Sequence, residues 1–312
     1  MAVRDTLVRR SLLAVSPLDV DGLARAAASG ADAVVLDVAR GAAAHRREEA
    51  RRALGAASAS LVGSGVELLL WTDAPGASAD LVAMDMAAGV VSGALVTANS
   101  PDDVAAVDAA LGAWEASHGV DAGTVNVEVV LASGAAVQSC AEIAAASPRV
   151  VALALDEDAL LRAAGEHDAA RRDLASCYRG ALVMAARSLG VQAHGAVATG
   201  AGALAAGYAA VGRRMGLRGA LCFDANVVSL VNAGFSPGAP EVEAAGRVLS
   251  AMAAAVSEGR GAIAASTGTM ADLANVRQAR AVVARAEAIA SRSAATSAEG
   301  ASGGEGSAPP WR

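Results

Sequence analysis

Apolar runs of strand length alternate with helix-like stretches from the N-terminus to about residue 235. SLLAVS (Ser11–Ser16) is followed by VDGLARAAASG, and AVVLDV (Ala33–Val38) by the charged HRREEARRALGAA. VELLLWT (Val66–Thr72) precedes ADLVAMDMAAG, and SGALVTA (Ser92–Ala98) precedes PDDVAAVDAALGAWEASHG. VNVEVVLA (Val125–Ala132) and VVALAL (Val150–Leu155) come next, each with a helix behind it. A long helix over about Arg171–Leu189 then leads to QAHGAV (Gln192–Val197) and GALCFD (Gly219–Asp224). Runs this uniformly apolar read as strands covered on both faces, as in a parallel sheet. Eight β/α units over about 230 residues predict a (β/α)8 TIM barrel rather than an open doubly wound sheet.

After Phe235 the pattern changes. SPGAPEVEAAGRVLSAMAAAVSEGRG is a Pro-led helix ending in Gly, AIAASTGTM is a short extended piece, and a helix follows near Ala271–Ser291. The expected organisation is therefore a barrel over 1–235, a helical C-terminal extension over 236–292 and a disordered tail over 293–312, where Gly, Ser, Pro and other small residues dominate.

Composition narrows the function class. Hydrophobic residues make up 54% of the 312 residues but aromatics only 2%, so the core is built from Ala, Val, Leu and Gly. A formal net charge of −7, with no basic stripe, speaks against a nucleic-acid partner. No run of about twenty uncharged apolar residues exists, so no membrane span is expected. MAVRDTLVRR is charged without a long apolar stretch behind it, and is not read as a signal peptide. Cys140, Cys177 and Cys222 are odd in number and far apart, which fits a reducing cytoplasm. His45, His118, His167 and His194 show no metal-ligand spacing.

A barrel of this kind carries its chemistry at the C-terminal ends of its strands. Arg40, Asp73, Asn99, Ser133, Asp156, His194 and Asp224 fall at or near those ends. One reading makes them a catalytic constellation of Asp224, His194 and Arg40, with His194 as a base and Arg40 as a carboxylate or phosphate clamp. The other reads them as the ordinary polar loop residues of any barrel. ATGAGALAAG (Ala198–Gly207) is a Gly-rich turn entering a helix, able to hold a phosphate on backbone N–H groups, but it lacks the G-x-G-x-x-G spacing. The basic helix HRREEARRAL (His45–Leu54) reads either as a contact for a ligand phosphate or as a solvated face with i,i+4 pairs.

Several phrases resemble the citrate lyase β-subunit-like family, the HpcH/HpaI aldolase group that includes malyl-CoA and other hydroxyacyl-CoA lyases. They are RSLLAV (Arg10–Val15), ASGADAVVLDV (Ala28–Val38), CAEIAAASPRVVALAL (Cys140–Leu155), ALVMAARSLGVQA (Ala181–Ala193), GALCFDANVVSLVNAGFSPGAPEVEAAGRVL (Gly219–Leu249) and GTM (Gly268–Met270). The resemblance implies a (β/α)8 barrel, a homo-oligomer (commonly a trimer), Mg²⁺ as cofactor and a CoA thioester as ligand. The metal would stabilise an enolate as a C–C bond breaks.

The resemblance also implies losses. The metal-binding Glu that ends the family's fifth strand falls on Ala132, and an Arg nearby on Ala135. The second metal carboxylate falls on Ala159, or, with a one-residue slip, is supplied by Glu157 and Asp158. Asp156, Glu157 and Asp158 equally fit the acidic first turn of a helix. The Glu-Asp pair after the second strand reads Ala39-Arg40, and the substrate Arg of the third strand falls near Leu70 or Trp71. The Lys after the fourth falls near Ala98, the Asp of the seventh on Gly195, and the His-Pro of the eighth on Asp224-Ala225. Arg10 and Asp37 are kept, and stand as candidates on the CoA side or at the mouth. Three functions stay open: a degenerate lyase-like protein, an active lyase or aldolase with a relocated site, and a metal-independent enzyme of another class.

Overall fold

The computed structural model describes residues 7–84, 91–164, 168–197, 202–257, 263–264, 270–271 and 273–302. Eight parallel strands close into a barrel in sequence order: β1 (Ser11–Val15), β2 (Ala33–Asp37), β3 (Glu67–Asp73), β4 (Val91–Thr97), β5 (Asn126–Leu131), β6 (Val150–Leu155), β7 (Gln192–Ala196) and β8 (Gly219–Cys222). The pairing of β1 with β8, Leu12 opposite Leu221, completes the ring. The TIM-barrel expectation is met.

Helices cover the outside: α1 (Val20–Ala28), α2 (Arg47–Leu61), α3 (Ala77–Met84), α4 (Pro101–His118), α5 (Gly134–Gln138), α6 (Cys140–Ala145), α7 (Glu157–Ala163), α8 (Asp168–Leu189), α9 (Leu204–Met215) and α10 (Val228–Phe235). Their start signals are local. Ser100 caps α4 in a capping box with Asp103 and Pro at the first turn, and Gly119 ends it in the left-handed conformation. Successive strand residues alternate between this helical shell and the barrel interior. The interior set includes Leu12, Ala33, Val35, Leu69, Leu95, Val130, Ala154 and Leu221, with Trp71 as its largest member. That alternation decides which strand-end residues face the mouth: Trp71 does and Leu70 does not.

Of the described residues, one compact unit takes in the barrel, Arg9–Phe235, with the last turns of the C-terminal helix from Thr296, and a second takes in Leu7, Val8 and those of Ser236–Ala295. The second unit contains α11 (Ala239–Ser257) and the antiparallel pair β9 (Ile263–Ala264) and β10 (Met270–Ala271). Within it Arg285 donates to the Leu7 carbonyl at 2.6 Å. The last helix, α12 (Leu273–Ser302), continues past position 293, where composition puts the start of the tail; residues 303–312 lie outside the described residues. Among the described residues no helix is long and apolar enough to cross a membrane.

Candidate active site at the barrel mouth

The loop after β2 is folded back over the mouth by Asp37. Its carboxylate accepts the Arg40 backbone N–H at 2.7 Å, and the N–H groups of Gly41 and Ala39 also bond to it. Burial pushes the Asp37 carboxyl up from its ordinary value, and these backbone donors pull it part of the way back. Gly41 passes so close to the Asp37 carbonyl that a side chain there would collide with it. Asp37 thus spends its oxygens shaping a turn.

That turn delivers Arg40. Its guanidinium carbon lies 5.0 Å from the centre of the Trp71 ring and 5.6 Å from that of Phe223. Its Nη1 lies 2.7 Å from Oδ2 of Asp156. Arg40 follows β2 and Asp156 follows β6, two strands on opposite sides of the eight-stranded ring, so the pair spans the opening. Beneath it Trp71 is wholly buried and donates Nε1–H to Thr97 Oγ1 at 3.0 Å. Trp71 and Phe223 rings sit 6.4 Å apart.

The acidic run after β6 is committed residue by residue. Asp156 caps α7, accepting the Ala159 N–H at 3.1 Å, while its other oxygen holds Arg40. Glu157 points into the helical shell. It receives Arg179 through Nε at 2.9 Å and Nη2 at 2.5 Å, and the Tyr208 hydroxyl at 2.6 Å. Burial, then the Glu157 charge, push the Tyr208 hydroxyl well above its ordinary value, so it donates as a neutral phenol. The same hydroxyl accepts the Ala196 N–H at 3.0 Å, in space that any side chain on Gly195 would occupy. Asp158 is half-buried on α7.

The other candidates are dispersed. Asp73 pairs with Arg47 at 2.9 Å, and Ser133 donates to Asn99 at 3.0 Å. Asp224 caps the turn Ala225–Val227 through the Asn226 N–H. Burial, then Asp224, push the Cys222 thiol up to about 12. Arg10 grips Asp32 with two 2.8 Å bonds before the start of β2, away from the mouth. The Gly-rich stretch after β7 falls partly, at 198–201, outside the described residues.

His194 sits mid-strand in β7, inside the barrel and toward its N-terminal end. Its Nδ1 lies 2.7 Å from Glu128, its Nε2 3.2 Å from Gln192 Oε1. Glu128 also faces Arg9, whose Nη1 is 3.5 Å away. Arg9 donates two bonds to Glu67 (2.9 and 2.6 Å) and one to Asn126 (2.8 Å). Ser92 completes the floor with a 2.5 Å bond to Glu67. Arg9, Glu67, Glu128 and His194 are all buried. Sequence reading did not single out Arg9, Glu67 or Glu128; the signal available was three charges in or beside otherwise apolar strands.

The mouth does not fit Mg²⁺. Such an ion takes one or two carboxylates with room for water and substrate. Ala132 offers no side-chain donor atom at the end of β5. After β6, Asp156 and Glu157 already hold guanidinium groups and face opposite sides of the sheet. Among the described residues no three His, Cys, Asp or Glu side chains are grouped as a metal site.

Comparison with known proteins follows the fold. A citrate lyase from Burkholderia xenovorans LB400 superposes with a TM-score of 0.74 at 19% identity, covering 91% of this chain and 93% of that one. CitE from Mycobacterium tuberculosis, in complex with magnesium, acetoacetate and coenzyme A, gives 0.63 at 24% identity, covering 90% and 99%. The citrate lyase beta subunit from M. tuberculosis complexed with oxaloacetate and magnesium gives 0.60 at 22%, covering 76% and 100%. Identities this low speak for the fold alone. No curated protein matches the chain significantly in sequence. The profile of the HpcH/HpaI aldolase/citrate lyase family matches residues 10–225, well over half of the chain and nearly all of the barrel, so the chain belongs to that family.

Proposed function

We propose that this chain is a degenerate member of its family, with the barrel kept and Mg²⁺-dependent C–C lyase activity lost or severely reduced. The observation that carries the reading is the Arg40–Asp156 pair over Trp71. A fixed guanidinium bonded to the one acid that faces the mouth from β6 leaves no seat for a divalent ion. With no metal carboxylate at position 132, nothing there polarises a substrate carbonyl or holds an enolate. Binding of a CoA thioester, assembly as a homotrimer and residence in the cytoplasm belong to the same reading, on the strength of family membership.

The decisive assay is Mg²⁺-dependent cleavage of hydroxyacyl-CoA thioesters by the pure protein. We expect no turnover above background, together with a thermal shift by CoA thioester that is the same with Mg²⁺ or with EDTA. Cleavage that requires Mg²⁺ and disappears in Asp158→Asn would sink the proposal in favour of a relocated site.

A further inference from the structure

We infer that the outer face of α8 and α9 is a two-fold contact with a second copy of this chain, the dyad crossing α8 at Gly180. The inference uses no part of the barrel mouth and is independent of whether the chain has kept activity.

A helix on the outside of a barrel turns a polar stripe to water. α8 does not. Between Asp173 and Arg187 its exposed residues are Ser176, Cys177, Ala181 and Met184, none of them charged, and Met184 is 75% exposed. Cys177, Ala181 and Met184 recur at helical spacing and so share one face. α9 runs beside α8 in the same direction. The Arg179 guanidinium lies 4.5 Å from the centre of the Tyr208 ring, and one turn or two further on a side chain at Gly216 would meet Arg187. α9 adds Leu204, 78% exposed, and Val211, 41% exposed. Three of the five large apolar side chains exposed among the described residues therefore stand on this pair of helices. Such a patch marks a protein contact, and Met is enriched in contacts of that kind.

The charges at its ends say what covers it. Asp173 and Arg187 are exposed, and among the described residues neither makes an ion pair. Each stands seven positions from Gly180, about 10 Å along the helix axis. A second α8 laid antiparallel across the first at Gly180 brings Asp173 of each copy to Arg187 of the other, twice over. A parallel copy would set like charges together. The surface is thus complementary to itself turned end for end, which is what a two-fold axis produces. Gly180 and Ala181 stand at the crossing and let the helices approach closely. To either side Cys177 of one copy faces Met184 of the other. The same axis sets α9 against its own copy and covers Leu204 and Val211. This contact alone gives two chains. Added to the three-fold assembly proposed on family membership, it gives six.

Light scattering across a dilution series tests it. We expect the native chain at the mass of two chains or six. Met184→Glu changes an exposed position only, and should halve that mass with an unchanged far-UV spectrum. Cys140 and Cys222 are buried, so a bis-maleimide reaches Cys177. It should join native chains in pairs and fail to join Met184→Glu. Charge reversal is the sharper arm. Asp173→Arg or Arg187→Asp should each weaken association at least about threefold, since each acts at both ends of the dyad. The double variant rebuilds both pairs with the signs exchanged and should recover the native affinity, which a loss of folding could not do. A native mass of one chain or three, a full mass kept by Met184→Glu, or a double variant no better than either single one would overturn the inference.

Discussion

The two ends of the barrel have opposite characters. At the N-terminal end Arg9, Glu67, Glu128 and His194 meet in full burial, joined by hydrogen bonds to Asn126, Gln192 and Ser92. At the C-terminal end, where such barrels keep their chemistry, an indole, a phenyl ring and one guanidinium close the opening. The densest cluster of ionisable groups inside this barrel is thus at the end associated with stability. Burying several charges costs a large desolvation energy that only a complete network offsets. The floor is therefore intolerant of any single loss. The mouth is held by a partly exposed contact and is the more permissive of the two.

The largest expected effect comes from breaking the floor. Arg9→Met leaves Glu67 and Glu128 buried without their guanidinium and should cost about 3–5 kcal/mol of folding stability, read as a shift of the urea midpoint at unchanged slope. Replacing Arg9, Glu67 and Glu128 together by apolar residues of similar volume should cost much less, because the uncompensated charges go with their partner. A loss under about 1 kcal/mol for Arg9→Met would mean that water reaches the floor, and the contrast between the two ends would fall.

A smaller effect concerns a second ion pair at the same end, outside the strands. Arg149 meets Glu115 with two 2.7 Å bonds, and the N–H groups of Val125 and Gly123 bond to the same carboxylate. Burial pushes the Glu115 carboxyl up, but Arg149 and those N–H donors together hold it below its ordinary 4.5. The unfolded chain then binds this proton more tightly than the folded one. The stabilisation is complete above 4.5 and is lost as the pH falls through the lower folded value. Glu115→Gln should lose about 1.5–3 kcal/mol at neutral pH and flatten the acid limb of the stability curve. An unchanged acid limb would show that Glu115 is not coupled to folding.

Legibility in the sequence follows the same division. Strand order, barrel closure and the absence of a donor at Ala132 were readable, because they depend on local apolar runs and on position along one strand. The partners of His194 were not legible from its neighbourhood: QAHGAV reads as one strand, in which His194 is the third residue of β7, two positions before the end, and the Glu128 it meets lies on another strand. Asp37 carried a resemblance but not its role, since the groups it binds are backbone N–H atoms. The Arg40–Asp156 pair was the least legible of all. It joins residues more than a hundred positions apart across a ring, and nothing in either segment encodes the other.

A third prediction concerns the outer face of β7, where the space beside Gly195 belongs to the helical shell and not to the mouth. Gly195→Asp would return the acid implied by family resemblance on the seventh strand. Here that side chain meets the Tyr208 hydroxyl, which bonds both Ala196 and Glu157. Overpacking of this kind costs about 1–3 kcal/mol. Combining it with Tyr208→Ala should show a coupling of at least about 0.5 kcal/mol in a double-mutant cycle. Additive effects would mean that Tyr208 does not occupy the place of the missing acid.

The smallest effect should come from Arg40→Ala. The contact with Trp71 and Phe223 is partly solvated, so its loss is worth about 0.5–2 kcal/mol. The ion pair with Asp156 is solvated only on the Arg40 side, and Asp156 itself is buried. Asp156 also keeps its place as the cap of α7, where a carboxylate is stabilised by the helix N-terminus even without a cation. A chemical-denaturation midpoint close to that of the native protein, alongside an intact far-UV spectrum, is therefore expected. Such a result would separate the two ends by function as well as by energy. Arg9 would be a residue the fold cannot spare, and Arg40 one that it can. A loss of 3 kcal/mol or more would instead make Arg40 a structural plug, equal in kind to Arg9.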